Sequence, residues 1–252
     1  MRCKIVIAIL LILVLSALPG QAQQVYRVGT EGGYPPFNFV KNGEPCGFDI
    51  DIARALCAAM GASCTIVLST WDEIIPRLVK GEYDFVVASM AKTAQRDMLV
   101  DFTIPYYRSR TNFIGNPREL LASTPKSLAG KTIATQKETV QAEYLKANYA
   151  KDSKLLLLNT LIEAFHALVE GRADAVLTDS LVGYEFLQNE VGQPFDYIGP
   201  PLTTKNPSSE ACIAVREGDD VLRIRLEKAL QTIRLNGVYE RINREYFPFS
   251  IY

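Results

Sequence analysis

The stretch Glu73-Ile-Ile-Pro-Arg-Leu-Val-Lys-Gly-Glu-Tyr-Asp-Phe-Val-Val-Ala-Ser89 recurs in outline as Glu163-Ala-Phe-His-Ala-Leu-Val-Glu-Gly-Arg-Ala-Asp-Ala-Val-Leu-Thr-Asp179. The two copies lie at a constant offset of 90 residues and agree at six positions. Each copy predicts a helix closed by glycine, then an apolar strand with a polar residue at its carboxyl end. One interpretation is that the repeat is only a sequence pattern common to βαβ proteins. The other is that the chain forms two similar lobes, with Ser89 and Asp179 facing each other across one cleft.

The chain around the first copy alternates predicted strands and helices. Strands are predicted at Val25 to Thr30, at Cys64 to Leu68 and at Tyr83 to Ser89, because these runs are apolar and rich in β-branched or aromatic residues. Helices are predicted from Gly47 to Gly61 and from Asp72 to Lys80. This βαβαβ order predicts an α/β fold with a parallel sheet and helical crossovers.

Two connections are predicted to join the lobes. The first runs near Tyr106 to Phe113, and the second runs near Pro200 to Ser209, which is dense in Pro, Thr and Ser. A strand at Cys212 to Val215 and a helix at Asp220 to Asn236 then return to the first lobe. We therefore predict lobe 1 from residues 23–109 and 208–252, lobe 2 from residues 110–207, and a two-strand hinge.

The first 22 residues have the features of a signal for export. A basic start precedes an apolar run from Ile5 to Leu18, which is too short to span a bilayer comfortably. Small residues at Gly20 and Ala22 mark a cleavage site, so residues 1–22 are predicted to be a signal peptide. We expect a soluble mature chain that starts at Gln23 and resides in the periplasm.

Composition argues against several other classes of protein. The 230 residues after the signal peptide carry 25 Lys and Arg against 28 Asp and Glu, which disfavours a nucleic-acid partner. The only histidine, His166, falls on an apolar helix face where packing is expected, and the chain has no Cys-x-x-Cys pair. No metal and no cofactor are therefore expected.

Export also changes the interpretation of the cysteines, because thiols persist as disulfides in oxidising compartments. Cys57 and Cys64 lie at a predicted helix end and strand start, where the chain doubles back, so we predict that they form a disulfide. A second bridge between Cys46 and Cys212 stays open, since the sequence does not establish that they are close.

Five separated phrases of the chain resemble those of one known family. They are Gly29-Thr-Glu-Gly-Gly-Tyr-Pro-Pro-Phe, Gly47-Phe-Asp-Ile-Asp-Ile-Ala, Trp71-Asp-Glu-Ile-Ile-Pro, Met90-Ala-Lys-Thr-Ala-Gln-Arg96 with Asp101-Phe-Thr-Ile-Pro-Tyr, and Gly171-Arg-Ala-Asp-Ala-Val-Leu-Thr-Asp179. On these phrases the chain is similar to the bacterial extracytoplasmic solute-binding proteins of family 3, the polar amino-acid class, which are the capture components of ABC importers. The lysine/arginine/ornithine, histidine and opine binders look nearest.

The resemblance implies a two-lobe periplasmic-binding-protein fold of type II, in which a mostly parallel sheet flanked by helices forms each lobe. It also implies capture of an amino acid or an opine-like molecule by hinge closure. The implied partner is an ABC transporter permease in the inner membrane, and we expect a monomer that is not an enzyme.

The resemblance also assigns the ligand's two charged ends. It implies that Arg96 clamps the α-carboxylate, helped by Ser89 and by main-chain groups around Ala91, while Asp179 receives the α-ammonium. A guanidinium fork matches a carboxylate, which supports the first assignment. The plainer alternatives are a solvated arginine at a helix start and, for Asp179, a helix N-cap.

The resemblance implies that Tyr34 and Trp71 sandwich the ligand side chain and that Glu31 meets its distal cation. Two ring faces and an anion suit a guanidinium or an ammonium, since cations bind favourably over aromatic rings. Core packing is the alternative for both rings. The expected ligand is therefore polar and cationic.

The second lobe departs from the family in the segment Gly130-Lys-Thr-Ile-Ala-Thr-Gln-Lys-Glu-Thr-Val-Gln141. Glu138 stands where the family usually has Gly, and Val140 replaces a hydroxyl residue, while Thr139 and Gln141 are still expected to contribute. Ala88 and Ala91 replace serines that are common in the basic-amino-acid binders. These changes leave a conjugated amino acid, such as an opine, open as the ligand.

Two other functions stay open. A secreted cyclohexadienyl dehydratase acting on prephenate or arogenate resembles these binders, and Glu31 or Glu138 could serve there as a general acid or base. No nucleophile–base pair supports that enzyme. A sensory subunit that passes its closed state to a signalling partner is the third class.

Overall fold

The computed structural model describes residues 23–202 and 210–252. The predicted signal peptide lies outside the described residues, as does most of the second predicted crossing. In the described ranges no helix is both long enough and apolar enough to cross a membrane.

Strands and helices alternate along most of the described chain. The strands are β1 (Val25–Thr30), β2 (Gly33–Tyr34), β3 (Asn38–Lys41), β4 (Glu44–Cys46), β5 (Ser63–Leu68), β6 (Phe85–Ala91), β7 (Val100–Arg108), β8 (Thr111–Gly115), β9 (Thr132–Gln136), β10 (Lys154–Leu158), β11 (Ala175–Asp179), β12 (Asp196–Leu202) and β13 (Glu210–Arg216). The α-helices are α1 (Phe48–Ala59), α2 (Ile74–Val79), α3 (Val140–Asn148), α4 (Leu161–Val169), α5 (Ser180–Gln188), α6 (Asp220–Leu235) and α7 (Val238–Tyr246), with short 3-10 turns at Arg96–Met98 and Glu190–Gly192.

Two five-stranded sheets organise these elements. The first has the order β5-β1-β6-β13-β7 and the second has the order β10-β9-β11-β8-β12. In each sheet four strands run in one direction, and one strand, β13 or β8, runs antiparallel to both of its neighbours. That reversed strand is the first one the chain enters after leaving the other sheet. The predicted α/β class with mostly parallel sheets is confirmed.

Helices cover both sheets. α1, α2, α6 and α7 pack on the first sheet or on one another, and α3, α4 and α5 pack on the second sheet. We call the first sheet with its helices the first lobe, and the second sheet with its helices the second lobe. α1 buries Phe48, Ile52 and Leu56 against the first sheet, which is the stripe that its apolar spacing predicts.

The 90-residue repeat marks the same structural unit in both lobes. Asp84 and Asp174 each accept a hydrogen bond from a main-chain N–H of the neighbouring strand, at 2.8 Å from Arg27 and at 2.7 Å from Thr132. Each aspartate also forms an ion pair with a basic residue, Arg27 in the first lobe and Lys131 in the second. The repeated phrase therefore encodes one way of joining a helix and a strand to the next strand of a sheet.

The segment after β1 forms a small antiparallel sheet of β2, β3 and β4, whose strands are too short to show an alternating pattern. Two expectations about local structure need correction. The helix predicted from Asp72 to Lys80 is only Ile74–Val79. His166 is exposed, so its predicted packing role is wrong: the buried stripe of α4 includes Leu161, Ala164 and Leu168, and position 166 lies off it.

The four cysteines within the described residues are free thiols in the structure. The thiols of Cys57 and Cys64 lie within hydrogen-bond reach of each other, and this contact raises the pKa of Cys57 and lowers that of Cys64. The thiol of Cys46 donates to the carbonyl of Phe39 at 3.6 Å, while Cys212 is buried in β13. The bridge between Cys57 and Cys64 stays a prediction that their placement permits, and Cys46 and Cys212 are not linked.

Candidate ligand-binding cleft

One cleft between the two lobes collects every predicted ligand-binding residue. Its empty volume is about 620 Å³ including its open mouth. Its walls include all nine predicted residues, namely Glu31, Tyr34, Trp71, Ser89, Ala91, Arg96, Thr139, Gln141 and Asp179. The structure thus brings the predicted set together, while the role of each residue stays a prediction.

Arg96 lies at one side of the cleft, in the 3-10 turn between β6 and β7. Its guanidinium stands 5.1 Å from the centre of the Trp71 ring and donates to the carbonyls of Ala91 (2.8 Å) and Glu138 (3.1 Å). Burial lowers its pKa to about 10, so the side chain stays cationic at neutral pH. A solvated arginine would not be desolvated in this way.

Asp179 ends β11 and faces the same cleft. Its Oδ1 accepts hydrogen bonds from the N–H of Leu181 (2.8 Å) and from the hydroxyl of Ser109 (2.7 Å), so it also caps α5. The helix-cap alternative is therefore correct, and it is compatible with a position in the cleft wall. Burial raises the pKa of Asp179 to about 6, because water is replaced by few compensating donors.

Ser89 sits in β6 with a φ of 53°, a left-handed conformation that is uncommon for a residue other than glycine. Its N–H donates to the hydroxyl of Tyr106 (2.9 Å), and its own hydroxyl donates to Asp49 (2.9 Å). Both donors of Ser89 are therefore used within the protein. The expectation that Ser89 helps to bind a carboxylate stays a prediction, and its main-chain carbonyl is an acceptor suited to an ammonium.

Asp49 holds this strained segment from behind. The fully buried carboxylate accepts hydrogen bonds from Tyr106 (2.6 Å), Asn38 (2.7 Å) and Ser89 (2.9 Å). Burial raises its pKa to about 6, although the three donors oppose that rise. The sequence showed Asp49 only as an acidic residue in the first turn of a helix, because its partners lie on three other segments of the chain.

A side-chain pair links the lobes at another part of the cleft. Gln136, at the end of β9, donates through Nε2 to Oε1 of Glu31 at 2.5 Å and to the carbonyl of Asn159 at 3.1 Å. Burial raises the pKa of Glu31 to about 7, and the hydrogen bond from Gln136 opposes this rise. Gln136 was not among the predicted site residues, because no local signal distinguishes a buried cleft glutamine from an ordinary strand end.

The turn after Gln136 reaches across to the first lobe. The main-chain carbonyl of Glu138 accepts from Trp71 Nε1 at 3.0 Å as well as from Arg96, and Lys137 forms an ion pair with Asp72 at 3.2 Å. Glu138 has a φ of 59°, the conformation that favours glycine at this position in the family. Its side chain is exposed.

The start of α3 forms the neighbouring wall. The hydroxyl of Thr139 donates to the carbonyl of Gln136 (2.8 Å) and accepts from the N–H of Ala142 (3.1 Å), so it serves as the helix cap. Val140 and Gln141 follow in the first turn and line the cleft. Main-chain N–H groups in a first helical turn lack partners within the helix and favour anions.

Aromatic rings complete the walls. Burial and the nearby charges of Asp179 and Glu31 raise the pKa of Tyr34 well above its usual range, so its hydroxyl stays neutral. Tyr107, which sequence reasoning missed, also lines the cleft, and its ring stacks on Phe37 with 4.6 Å between centres. In the described ranges no cluster of three or more His, Cys, Asp or Glu residues could hold a metal ion.

The cleft between the two α/β lobes brings together an arginine, two carboxylates and aromatic rings. This arrangement defines a protein that captures a small charged solute between its lobes. Comparison with known proteins gives the family. The chain belongs to the bacterial extracellular solute-binding proteins, family 3, whose family model matches residues 26–249.

Named relatives and solved structures agree with this placement. The L-arginine-binding protein of Pseudomonas aeruginosa is 34% identical over 244 residues, covering 95% of this chain and 94% of the relative. The histidine-binding periplasmic protein of Escherichia coli is 28% identical, covering 99% of this chain and 98% of the relative. The structure of an ancestral arginine-binding protein bound to arginine is similar with a TM-score of 0.82 and 31% identity, covering 89% of this chain and 99% of that one. The predicted two-lobe periplasmic-binding-protein fold is confirmed.

Proposed function

We propose that this protein is the extracytoplasmic substrate-binding component of an amino-acid ABC importer and that it captures a cationic amino acid. The observation that carries the proposal is the arrangement of charge in the cleft. Arg96 supplies one buried positive group, while Asp179 and Glu31 supply two acidic groups. A zwitterion with a further positive charge on its side chain complements that set.

Each end of such a ligand has matching groups. The α-carboxylate would meet Arg96 and the free N–H groups at the start of α3, since charge-assisted hydrogen bonds contribute about 1.5–3 kcal/mol each. The α-ammonium would meet Asp179 and the main-chain carbonyl of Ser89. The side chain would lie along Tyr34 and Trp71 and end at Glu31, where a cation over a ring gains about 0.5–2 kcal/mol.

The relatives support a cationic ligand. Their names cite arginine, histidine, and lysine, arginine and ornithine. An opine-like derivative is a narrower proposal, supported by the apolar side chains of Ala88, Ala91 and Val140, which leave space and present no hydroxyl at these three positions of the cleft wall. The relatives are binding proteins, which favours binding over the dehydratase alternative.

Capture would proceed by closure of the lobes. Residues of both lobes line the cleft, so a ligand contacts its full set of partners only when the lobes are closed, and it therefore shifts the population toward the closed form. We propose lobe boundaries at residues 23–109 with 208–252 and at 110–207, with a hinge between them. The assignment of strands to the two sheets supports these boundaries.

The cellular setting follows from the same proposal. A signal peptide at residues 1–22 would direct the chain to the periplasm, where the protein would act as a monomer and deliver its ligand to an inner-membrane permease. In that oxidising compartment we propose a disulfide between Cys57 and Cys64, supported by the contact of their thiols.

A thermal-shift panel tests the proposed function. The chain from Gln23 is stripped of copurified ligand by partial unfolding and heated with amino acids, opines or prephenate. A ligand at 100 times its dissociation constant stabilises the folded protein by about 2.7 kcal/mol, or roughly 5–11 °C at this size. We expect a shift with arginine, lysine, ornithine, histidine or an arginine-derived opine. A shift with prephenate alone, followed by turnover, would replace capture with dehydratase activity.

A further inference from the structure

We propose that Gln136 determines ligand specificity, and that it selects a guanidinium, as in arginine or an arginine conjugate, over the ammonium of lysine or ornithine. This inference rests on the proposed function and names the substrate class of the same cleft. It is carried by the hydrogen bonds of Gln136, which leave one acceptor atom without a partner in the cleft wall.

Both amide hydrogens of Gln136 are already used. Nε2 donates to Glu31 Oε1 and to the carbonyl oxygen of Asn159, and both of these atoms are acceptors. The amide cannot be turned the other way, because its oxygen would then face two acceptors. The orientation of this side chain is therefore set by its surroundings.

The carbonyl oxygen Oε1 of Gln136 is left over. In the part of the chain that the structure describes, no hydrogen bond ends on this atom, and the residue, which is only 2% exposed overall, lines the cleft. Oε1 is not among the fully enclosed side-chain atoms that lack a partner, so it keeps contact with solvent. A ligand that fills this part of the cleft displaces that water, so a ligand that brings a donor to Oε1 gains affinity over one that does not. Glu31 Oε2 likewise receives no hydrogen bond from the described residues.

Together the two residues present a charged acceptor beside a neutral one. A guanidinium carries five N–H donors in a rigid planar fork, so it can donate to Glu31 and to Gln136 at once. An ammonium is a compact, strongly hydrated point charge that pairs well with Glu31 but has no second arm. A leucine or methionine at position 136 would supply no acceptor at all.

A second observation indicates that this part of the cleft is built for a polar ligand. The hydroxyl of Thr178, in β11 beside Gln136's strand, is buried in the cleft wall and has no hydrogen-bond partner among the described residues. Such orphaned groups are rare in folded proteins. The pair is also complete only when the lobes are closed, since Glu31 belongs to the first lobe and Gln136 to the second.

The test compares arginine and lysine by isothermal titration calorimetry on the full mature chain and on Gln136→Met, which keeps the length of the side chain without its amide. Losing the hydrogen bond from Gln136 Nε2 to Glu31 changes the affinity for both ligands alike. The ratio of the two dissociation constants therefore isolates the contribution of Gln136 Oε1. We expect arginine to bind the natural protein more tightly and to lose about 10- to 100-fold in the variant, with lysine changing far less. Gln136→Leu serves as a second variant if the first does not fold.

The outcomes separate the two proposals. An arginine-to-lysine ratio that stays the same in both variants, or a natural protein that prefers lysine, would overturn the role of Gln136 and leave amino-acid capture intact. A natural protein that binds neither ligand, nor any other amino acid, would overturn the proposed function and this inference with it.

Discussion

The substitution Asp179→Asn should separate ligand binding from folding stability. Asparagine is as good an N-cap as aspartate, and its Oδ1 can accept the same hydrogen bonds from Leu181 and Ser109. The variant therefore keeps the local structure and removes only the charge. We expect the affinity for the amino acid to fall while the stability of the ligand-free protein holds or rises.

The two magnitudes follow from the site. A charged hydrogen bond to the α-ammonium contributes about 1.5–3 kcal/mol, so the dissociation constant should rise about 10- to 150-fold. Burial raises the pKa of Asp179 from 3.8 to about 6. At about 1.4 kcal/mol per pKa unit, the ionised carboxylate costs at most about 3 kcal/mol of stability at neutral pH, a cost that asparagine does not carry.

Calorimetric titration and urea unfolding measure the two effects on one preparation. The matched control is Asp219→Asn, since Asp219 also caps a helix, accepting from Leu222 at 3.2 Å, and does not line the cleft. The control should keep its affinity. The reasoning is refuted if Asp179→Asn binds as tightly as the natural protein, or if it loses stability without losing affinity relative to the control.

Four further predictions follow from the buried groups of the first lobe and the cleft. The pKa values of Glu31 and Asp179 are raised to about 7 and about 6, and both carboxyl groups must lose their protons to bind a cation. Calorimetry should therefore show that the affinity for the amino acid falls as the pH drops below 7. An affinity that does not change with pH would contradict this. The same shifts stabilise the ligand-free protein below about pH 4, and this contribution should be lost as the pH rises through 6 to 7 in thermal unfolding. Tyr106→Phe removes one hydrogen-bond donor from the buried carboxylate of Asp49, so it should lower the free energy of unfolding in urea by about 1–3 kcal/mol. An unchanged urea midpoint would show that the hydrogen bonds to Asp49 are not needed for stability. Reduction of the oxidised protein should lower its free energy of unfolding by about 2 kcal/mol or more, and the stability of Cys57→Ser should not change with reductant. Equal melting temperatures of the oxidised and reduced natural protein would show that Cys57 and Cys64 do not pair.

The strand–helix order was enough to predict the α/β class, and the family resemblance implied the two-lobe fold. The strand at Val25–Thr30 lies where its alternation places it, and the glycines that close α2 and α4 both adopt a left-handed φ, 75° at Gly81 and 71° at Gly171. These signals are local, since they depend on neighbours in sequence. For the same reason the sequence could not predict where α2 begins, because Pro76 and the turn before it allow several starting points.

The cleft was predictable only in part. Residues carried by the family's phrases, such as Arg96 and Asp179, do line it. Gln136, Tyr107 and Asp49 were missed, because their importance comes from partners 11 to 105 residues away rather than from their own spacing. Ser89 was placed correctly in the cleft wall, but the direction of its donors depends on Tyr106 and on Asp49 behind it, which no pattern in the sequence reveals.

The most direct test of amino-acid capture is a calorimetric titration of the ligand-stripped chain with arginine and with arginine amide, which lacks the carboxylate. We predict saturable one-to-one binding of arginine and a loss of at least about tenfold with the amide, because Arg96 and the start of α3 then have no anion to bind. Equal affinity for the two compounds, or no binding of any amino acid, would contradict the account.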